Sequence, residues 1–371
     1  ADEKKDTVMF DKEGICLSCR YYEYKDQVNW VEKERELRDI LDRHRSSNGN
    51  YDVLVPGSGG KDSIFTSFLL KEKYNMNPLT CTWAPGMYTD IGWKNFKSWI
   101  NSGFDNVLFT PNKKIHGFLT KTAFKNLLHP FQPFVLGQNS FPLKVASEKN
   151  IKLVIYGDGI EERAVGKINE KTQKNKKSIY KFHYQVKGQE IILGGETTEE
   201  IVKKNNISLS DLKPYLPIKE EELYEKELEV LPITKFINYN PQDNFYFSKE
   251  RSNFQVNPDG RSEGTYTKYS SLDDKLDGLH YYTWFIKTGR GRATEDAAVE
   301  VRNKIITREE AVALVKKYDG EFPKKYFKEC LDHMKITEED FLSTVDKFRS
   351  PHIWGKEKDK WILKNAVWLD N

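Results

Sequence analysis

Ten residues, PGSGGKDSIF from 56 to 65, set two adjacent glycines, a lysine, an aspartate and two serines between the apolar run YDVLV and a stretch of helical periodicity. Glycines leave backbone N–H groups unobstructed, and the first turn of a following helix adds partial positive charge, so a loop of this kind binds an anion. Ser58 and Ser63 add hydroxyl donors and Lys61 a full charge, enough with the amides around Gly59 and Gly60 to hold several phosphate oxygens. Asp62 would repel a phosphate unless a cation lay between them, which predicts that it associates with Mg2+. The pattern is not GxxxxGK[ST], because Asp62 follows Lys61 and Val55 stands where the first glycine is required, and it is not GxGxxG. The plainer alternative is a glycine turn that merely closes a strand–helix unit.

The elements that must position this loop are legible from periodicity. DVLV at 52–55 has the composition of a buried strand, and DSIFTSFLLKEK repeats Ile64, Phe65, Phe68 and Leu69 as a helix would. Upstream, WVEKERELRDILDRHR predicts an amphipathic helix with Val31, Leu37, Ile40 and Leu41 on one face. Further strands are expected at PLTCTWA, NVLFT and KLVIYG, and a fifth at ITKFINY, 233–239. Helices are expected at DIGWKNFKSWINSG and between about 117 and 149. Strands alternating with helices imply an α/β fold, a doubly wound parallel sheet whose strand ends face a ligand crevice. Gly157 and Asp158, in YGDG after the fourth strand, would border the same crevice, with Asp158 binding metal or ribose.

Three regions follow: 1–50, a cysteine motif and helix; 51–240, the α/β nucleotide-binding domain with a lysine-rich insertion at about 160–195; and 241–371, mostly helical and substrate-binding. In the last, TREEAVALVKKY, PKKYFKECLDHM and TEEDFLSTVDKF read as helices, two of them opened by a capping threonine. The 59 basic and 56 acidic side chains leave a net charge of +3, too small to be an electrostatic footprint for nucleic acid. No apolar run approaches the ~20 residues of a membrane span, and the opening ADEKKDTVMF lacks a secretory core, so a cytoplasmic protein is expected.

Four cysteines do not make a disulfide framework in a chain of 371 residues. Cys16 and Cys19, in GICLSC, have the spacing of half a zinc site, which needs four ligands in all; they bind Zn2+ or are free thiols. Cys81 and Cys330 sit in apolar settings that predict buried packing. Neither LTCTW nor KECLD has the glycine-flanked turn of a glutamine-hydrolysing cysteine, so nitrogen for any amide chemistry would come from outside the chain.

Residues 58–63 resemble the pyrophosphate loop of the PP-loop ATP pyrophosphatase superfamily, with its adenine nucleotide alpha hydrolase-like fold. That resemblance implies ATP, Mg2+, and transfer of AMP to a carbonyl-type oxygen with release of pyrophosphate. Together with FDKEGICLSC, GRSEGTYTKYSSLDDKLDGLHYYTWFIKTGRGRATEDAAVEVRN, ITREEAVALVKKYDGEFP and VDKFRSPHIW, the loop makes nearly the whole chain similar to the N-acetyl sugar amidotransferases of bacterial surface-polysaccharide (LPS O-antigen) biosynthesis. Membership would imply conversion of an N-acetyl group on a nucleotide-activated sugar to an acetamidino group. It would also imply ammonia from a separate glutaminase subunit, with a cyclase-like protein as a further partner, and no nucleic acid.

The resemblance brings His280, Lys287, Arg292, Asp296 and Arg302 into the site. Lys61, Asp62, His280 and Arg292 are the candidate catalytic set, and Lys287, Arg292, Asp296 and Arg302 the candidate substrate ligands. Forked and cationic donors suit a diphosphate or a sugar carboxylate. His280 would orient the acetamide, deprotonate the incoming nitrogen, or serve as a core histidine beside YYTWF. The family commonly carries a second C-x-x-C upstream, which this sequence does not show. Two other readings compete: a PP-loop tRNA-thiolating enzyme, which calls for a basic face and a reactive cysteine near the nucleotide, and a nucleotide-binding regulatory module without catalysis.

Overall fold

Short runs of consecutive apolar residues become the centre of a parallel sheet. In the computed structural model, which describes residues 11–157, 185–187 and 190–369, β1 (Val53–Pro56), β2 (Pro78–Trp83), β3 (Asn106–Phe109) and β4 (Leu153–Tyr156) are joined by a fifth strand, β8 (Glu229–Pro232), in the order β3-β2-β1-β4-β8. All four pairings are parallel. The expected fifth strand at 233–239 is therefore displaced: pairing ends at Pro232, and Ile233–Lys235 forms a 3-10 turn. Proline has no N–H to continue a ladder, so the apolar residues beyond it pack into the core without joining the sheet.

Helices cover both faces, as a doubly wound fold requires. In chain order these are α1 (Leu17–Lys25), α2 (Trp30–His44), α3 (Lys61–Phe68), α4 (Asp90–Asn101), α5 (Lys113–Leu127) and α6 (Gln132–Lys149). Alternate residues of β1 point to opposite layers. Val53 and Val55 pack with Leu37, Ile40 and Leu41 of α2, whereas Leu54 packs with Leu143, Val145 and Ala146 of α6. Val31, expected on the buried face of α2, is 72% exposed. At 100° per residue it lies about 120° around the helix from Leu37, outside the stripe that the sheet covers.

Between β4 and β8 the expected insertion falls partly outside the described residues. Its described part is a three-stranded antiparallel sheet of β5 (Gln185–Lys187), β6 (Glu190–Leu193) and β7 (Glu196–Thr197), followed by α7 (Thr198–Lys204), α8 (Leu209–Leu212) and α9 (Glu220–Glu225). The β6–β7 turn is docked on the main body: Gly194 N donates to Gln132 Oε1 at 2.6 Å and Gly194 O accepts from Asn126 Nδ2 at 2.9 Å.

Beyond β8 the chain is mostly helical, with α10 (Pro241–Ser252), α11 (Asp277–Thr288), α12 (Arg292–Arg302), α13 (Arg308–Tyr318), α14 (Phe327–Met334) and α15 (Glu338–Lys347). Thr307 and Thr337 open α13 and α15 with reciprocal capping boxes to Glu310 and Asp340, as the sequence predicts. A closing hairpin, β9 (Trp354–Glu357) and β10 (Lys360–Leu363), is an addition to that reading; Trp354 fixes it by donating Nε1–H to Ile286 O at 2.7 Å. No helix among the described residues is long and apolar enough to cross a membrane.

Candidate active site

The strand order reverses direction at β1 and β4, the place where an α/β sheet opens a crevice at its carboxyl end. The loop from Gly57 to Ser63 leaves β1 there and Gly157 leaves β4 beside it. Gly59 has φ +84°, and a Cβ on it would stand 2.6 Å from the Phe96 backbone, so both conformation and space require glycine. A Cβ on Gly157 would stand 2.7 Å from Asp62 O, which shows how closely the two loops approach. Among the described residues, the N–H groups of Gly59, Gly60 and Lys61 have no backbone or side-chain acceptor. Orphan amides at the start of α3, facing a cleft, form an anion cradle.

Lys61 and Asp62 are held by the helix after β8. Lys61 Nζ lies 2.6 Å from Asp62 Oδ2, while Asp62 Oδ1 accepts from Tyr239 Oη and Asn244 Nδ2, both at 3.1 Å. Ser248 Oγ, on α10, donates to Lys61 O at 2.7 Å. The rings of Tyr239 and Tyr269 lie 5.9 and 5.6 Å from Nζ. The lysine is thus held, buried and electrically balanced. Ser63 Oγ donates to Gly60 O at 2.9 Å, and Ser58 hydrogen-bonds the Asp273 carboxylate.

The opposite wall comes from the 269–292 region. Together the two walls enclose about 390 Å3, lined on one side by Trp83 and Phe134 and on the other by Tyr269, Asp277, Tyr281 and Arg292. Arg292 opens α12; its Nε donates to Asp296 Oδ1 at 2.8 Å, its Nη1 to Tyr281 Oη at 3.3 Å, and Asp296 Oδ2 accepts from Thr265 at 2.8 Å. The segment from Leu272 to Lys275 is strapped to the loop after β2. Thr89 N donates to Asp273 O at 3.1 Å, Lys275 N to Met87 O at 2.9 Å, and Gly86 N to Asp274 Oδ2 at 3.1 Å. Burial raises the carboxyls of Asp273, Asp274 and Asp277, with Asp274 pushed up to about 7 and Asp277 well above the usual range.

The candidates named from the sequence separate into two groups. Ser58, Gly59, Gly60, Lys61, Asp62, Ser63, Gly157 and Arg292 line one cleft, and Asp296 stands behind Arg292. Asp158 lies outside the described residues. His280 stacks at 5.2 Å on His129 and at 4.9 Å on Phe131, its Nδ1 unbonded; burial, then His129 and Arg292, hold it well below its ordinary pKa. Phe131 lines the cleft, so the imidazole sits one ring behind the wall. Lys287 donates to Leu127 O at 2.8 Å, away from the cleft, and burial lowers its pKa. Arg302 lies ten residues along α12, about 15 Å from Arg292, over the Tyr22 ring at 4.8 Å.

Cys16 and Cys19 bring their sulfurs to 3.2 Å at the start of α1, and burial followed by the Cys16 contact pushes the Cys19 thiol up to about 11. Among the described residues, no group of three or more His, Cys, Asp or Glu side chains is placed to hold a metal ion. Cys81 and Cys330 are each 1% exposed, as their apolar settings predict. Tyr239, Asn244, Asp273, Asp277 and Tyr281 complete the cleft without having been singled out from the sequence. The one available signal was the density of Ser and Asp in SSLDDKLDG.

A parallel α/β sheet with a Gly-Gly-Lys-Asp-Ser loop at its switch point is the arrangement that the resemblance of residues 58–63 to the PP-loop superfamily implies. The chain's second half carries the finer resemblance: residues 263–367 match the family model described as LPS biosynthesis protein WbpG-like, C-terminal domain. An uncharacterized protein of Methanocaldococcus jannaschii is 32% identical over 84 residues, 23% of this chain and 30% of that protein, so the match spans less than a third of the relative. Among solved structures, the U34-tRNA thiolase NcsA from Methanococcus maripaludis with its [4Fe-4S] cluster aligns over 82% of this chain and 81% of its own, at 12% identity and a TM-score of 0.33.

Proposed function

We propose that this chain is a cytoplasmic ATP-dependent amidotransferase of surface-polysaccharide (LPS) biosynthesis. It converts the N-acetyl group of a nucleotide-activated sugar to an acetamidino group. An acetamide resists ammonia because its oxygen leaves poorly; transfer of AMP to that oxygen gives an imidate from which nitrogen expels AMP. The orphan amides of Gly59, Gly60 and Lys61 hold the departing pyrophosphate, and Lys61 neutralises it once drawn away from Asp62. Freed of its lysine, Asp62 is the carboxylate that would hold Mg2+, whose charge eases phosphate departure. Ammonia comes from a separate glutaminase, with a cyclase-like partner.

The observation that carries this reading is the meeting of two surfaces across one cleft: the phosphate loop on one side, and Tyr281 and Arg292 from the WbpG-like stretch on the other. Arg292 offers its guanidinium to the sugar diphosphate or to a sugar carboxylate. The tRNA-thiolation reading calls for a reactive thiolate at the nucleotide. Cys81 reaches the cleft floor but is 1% exposed, and burial holds it as the thiol. Two thiols fall short of the four ligands of a structural zinc, so Cys16 and Cys19 fit Zn2+ only with ligands beyond the described residues.

The test is mass spectrometry of nucleotide-activated N-acetyl sugars incubated with the chain, ATP, Mg2+ and ammonium. Replacing O by NH lowers the sugar mass by about one unit, with AMP and pyrophosphate appearing in step. Sulfur uptake by tRNA, with no such change in any sugar, would replace this reading by the thiolase.

A further inference from the structure

Beside the reaction cleft lies a second cavity of about 390 Å3. The two have a wall in common: Ser271, Leu272 and Asp277 line both. The second cavity is rich in acidic side chains. Its walls carry Asp90, Asp259, Glu263, Asp274, Asp277 and Glu321. Its cations are already engaged: Arg261 with Glu321 at 2.6 Å, Lys275 with Glu329 at 2.6 Å, and Lys325 with Asp259. With each lining cation paired to a carboxylate, the cavity offers no unpaired positive charge, among the described residues, to a nucleotide, a diphosphate or a uronate. The described residues gather no metal-binding group there. A small cation that offers only hydrogen-bond donors suits it, and ammonium is one.

Asp277 is the group that stands between the two spaces. It is 7% exposed and begins α11, and its carboxylate receives no side-chain hydrogen bond among the described residues, only the Asp274 backbone N–H. The charged groups that face it are Asp273, Asp274 and Arg292. On the amidotransferase reading, on which this inference rests, a neutral amide becomes a cationic amidinium, so positive charge appears at the attacking nitrogen. A buried carboxylate short of donors is what that charge requires. We infer that the acidic cavity is the path by which ammonia reaches the cleft, and that Asp277 is the catalytic residue that takes the proton of the attacking nitrogen.

The step balances without a further reagent. Ammonium gives one proton to Asp277, which passes it to solvent; the lone pair of the ammonia so formed makes the C–N bond to the imidate carbon, the C–O bond to AMP breaks with its electron pair leaving on AMP, and the remaining three protons stay on the amidinium. Burial, then Asp273 and Asp274, raise the affinity of Asp277 for that proton above that of a free carboxylate.

The experiment uses the full chain, ATP, Mg2+, ammonium chloride and a nucleotide-activated sugar that the wild type aminates, with AMP and amidine counted separately. In Asp277→Asn the amidine formed per AMP is expected to fall by about 100-fold, the loss typical of a missing general base, as water takes the imidate back to the amide; Asp277→Glu recovers part of it. Asp274→Asn, which faces the cavity alone, should raise the KM for ammonium several-fold while the KM for ATP stays put. An unchanged amidine-to-AMP ratio in Asp277→Asn overturns the inference. If that variant does not fold, the ammonium KM of Asp274→Asn decides, and no change overturns it. A wild type that aminates no nucleotide sugar fails differently: it overturns the amidotransferase reading, and this inference with it.

Discussion

Lys61 and Asp62 are neighbours in the chain and partners in space, the ammonium 2.6 Å from the carboxylate, with side chains 9% and 17% exposed. Removing one member of a buried pair strands the other, at a cost of about 3–5 kcal/mol. Asp62→Ala also strips Tyr239 and Asn244 of their acceptor. The expected outcome is a midpoint lowered by several degrees in a thermal melt. Lys61→Ala should instead lower pyrophosphate release by on the order of 100-fold or more, the scale set by losing one preorganised charge at a developing anion.

Gly59→Ala should be damaging out of proportion to its size. A methyl group there meets the Phe96 backbone at 2.6 Å in a φ +84° conformation. The left-handed conformation alone costs roughly 1–2 kcal/mol, and α4 must shift as well. ATP titration by calorimetry should show weakened binding even where circular dichroism shows the fold retained. Gly60→Ala is the control, since a Cβ at Gly60 meets nothing closer than Ser58 Oγ at 3.8 Å.

Arg292 makes a forked set of contacts that lysine cannot copy. Arg292→Lys should keep the charge yet lose the Asp296 and Tyr281 bonds together. Steady-state kinetics are expected to show a rise of about tenfold or more in the KM for the nucleotide sugar, consistent with roughly 1.5–3 kcal/mol for a charged hydrogen bond, and a smaller change for ATP. An equal rise for both substrates would place Arg292 on the nucleotide instead.

Two buried groups predict opposite pH trends in stability. Burial, then His333, push the pKa of His116 down to about 3, from an ordinary 6.5. The unfolded chain binds more protons there between those values, so this contribution is whole above 6.5 and falls as the solution is acidified. Asp274, pushed up to about 7 by burial, reverses the sign: the folded chain binds more protons between about 4 and 7, and stability is lost as pH rises through that window. Melting curves of Asp274→Asn should therefore gain more on the wild type at pH 8 than at pH 4.5.

The cysteine pair yields a direct assay. Should Cys16 and Cys19 take part in a zinc site, the purified protein will carry up to one zinc per chain, and Cys19→Ser will lose it. Free thiols will instead both react with a disulfide reagent, Cys19 slowly because its thiol is raised to about 11.

How much of this could be read from the residues differs by element. The loop was legible because its chemistry is local: glycines, lysine, aspartate and serines act within one turn of one helix. The sheet was legible because parallel strands buried on both faces read as unbroken apolar runs. Val31 and the 233–239 strand went astray for local reasons too, an angular offset of about 120° and a proline that ends pairing. His280 and Lys287 are different. Both carry reactive groups in a promising stretch, yet the stack on His129 and Phe131 and the bond to Leu127 depend on chain brought in from 127–131, which no spacing within α11 reveals. Tyr239 and Asn244 were hidden for the same reason, since their partner Asp62 lies far away along the chain.

The seating of α10 on the Gly57–Ser63 loop limits how the chain can be spliced. Ser248 holds the carbonyl of Lys61, and Asn244 holds the carboxylate of Asp62, so the loop borrows its rigidity from residues that lie past the last strand of the sheet. A chimera that joined the first 240 residues to a foreign tail would lose both contacts and, in the same stroke, unmoor the lysine.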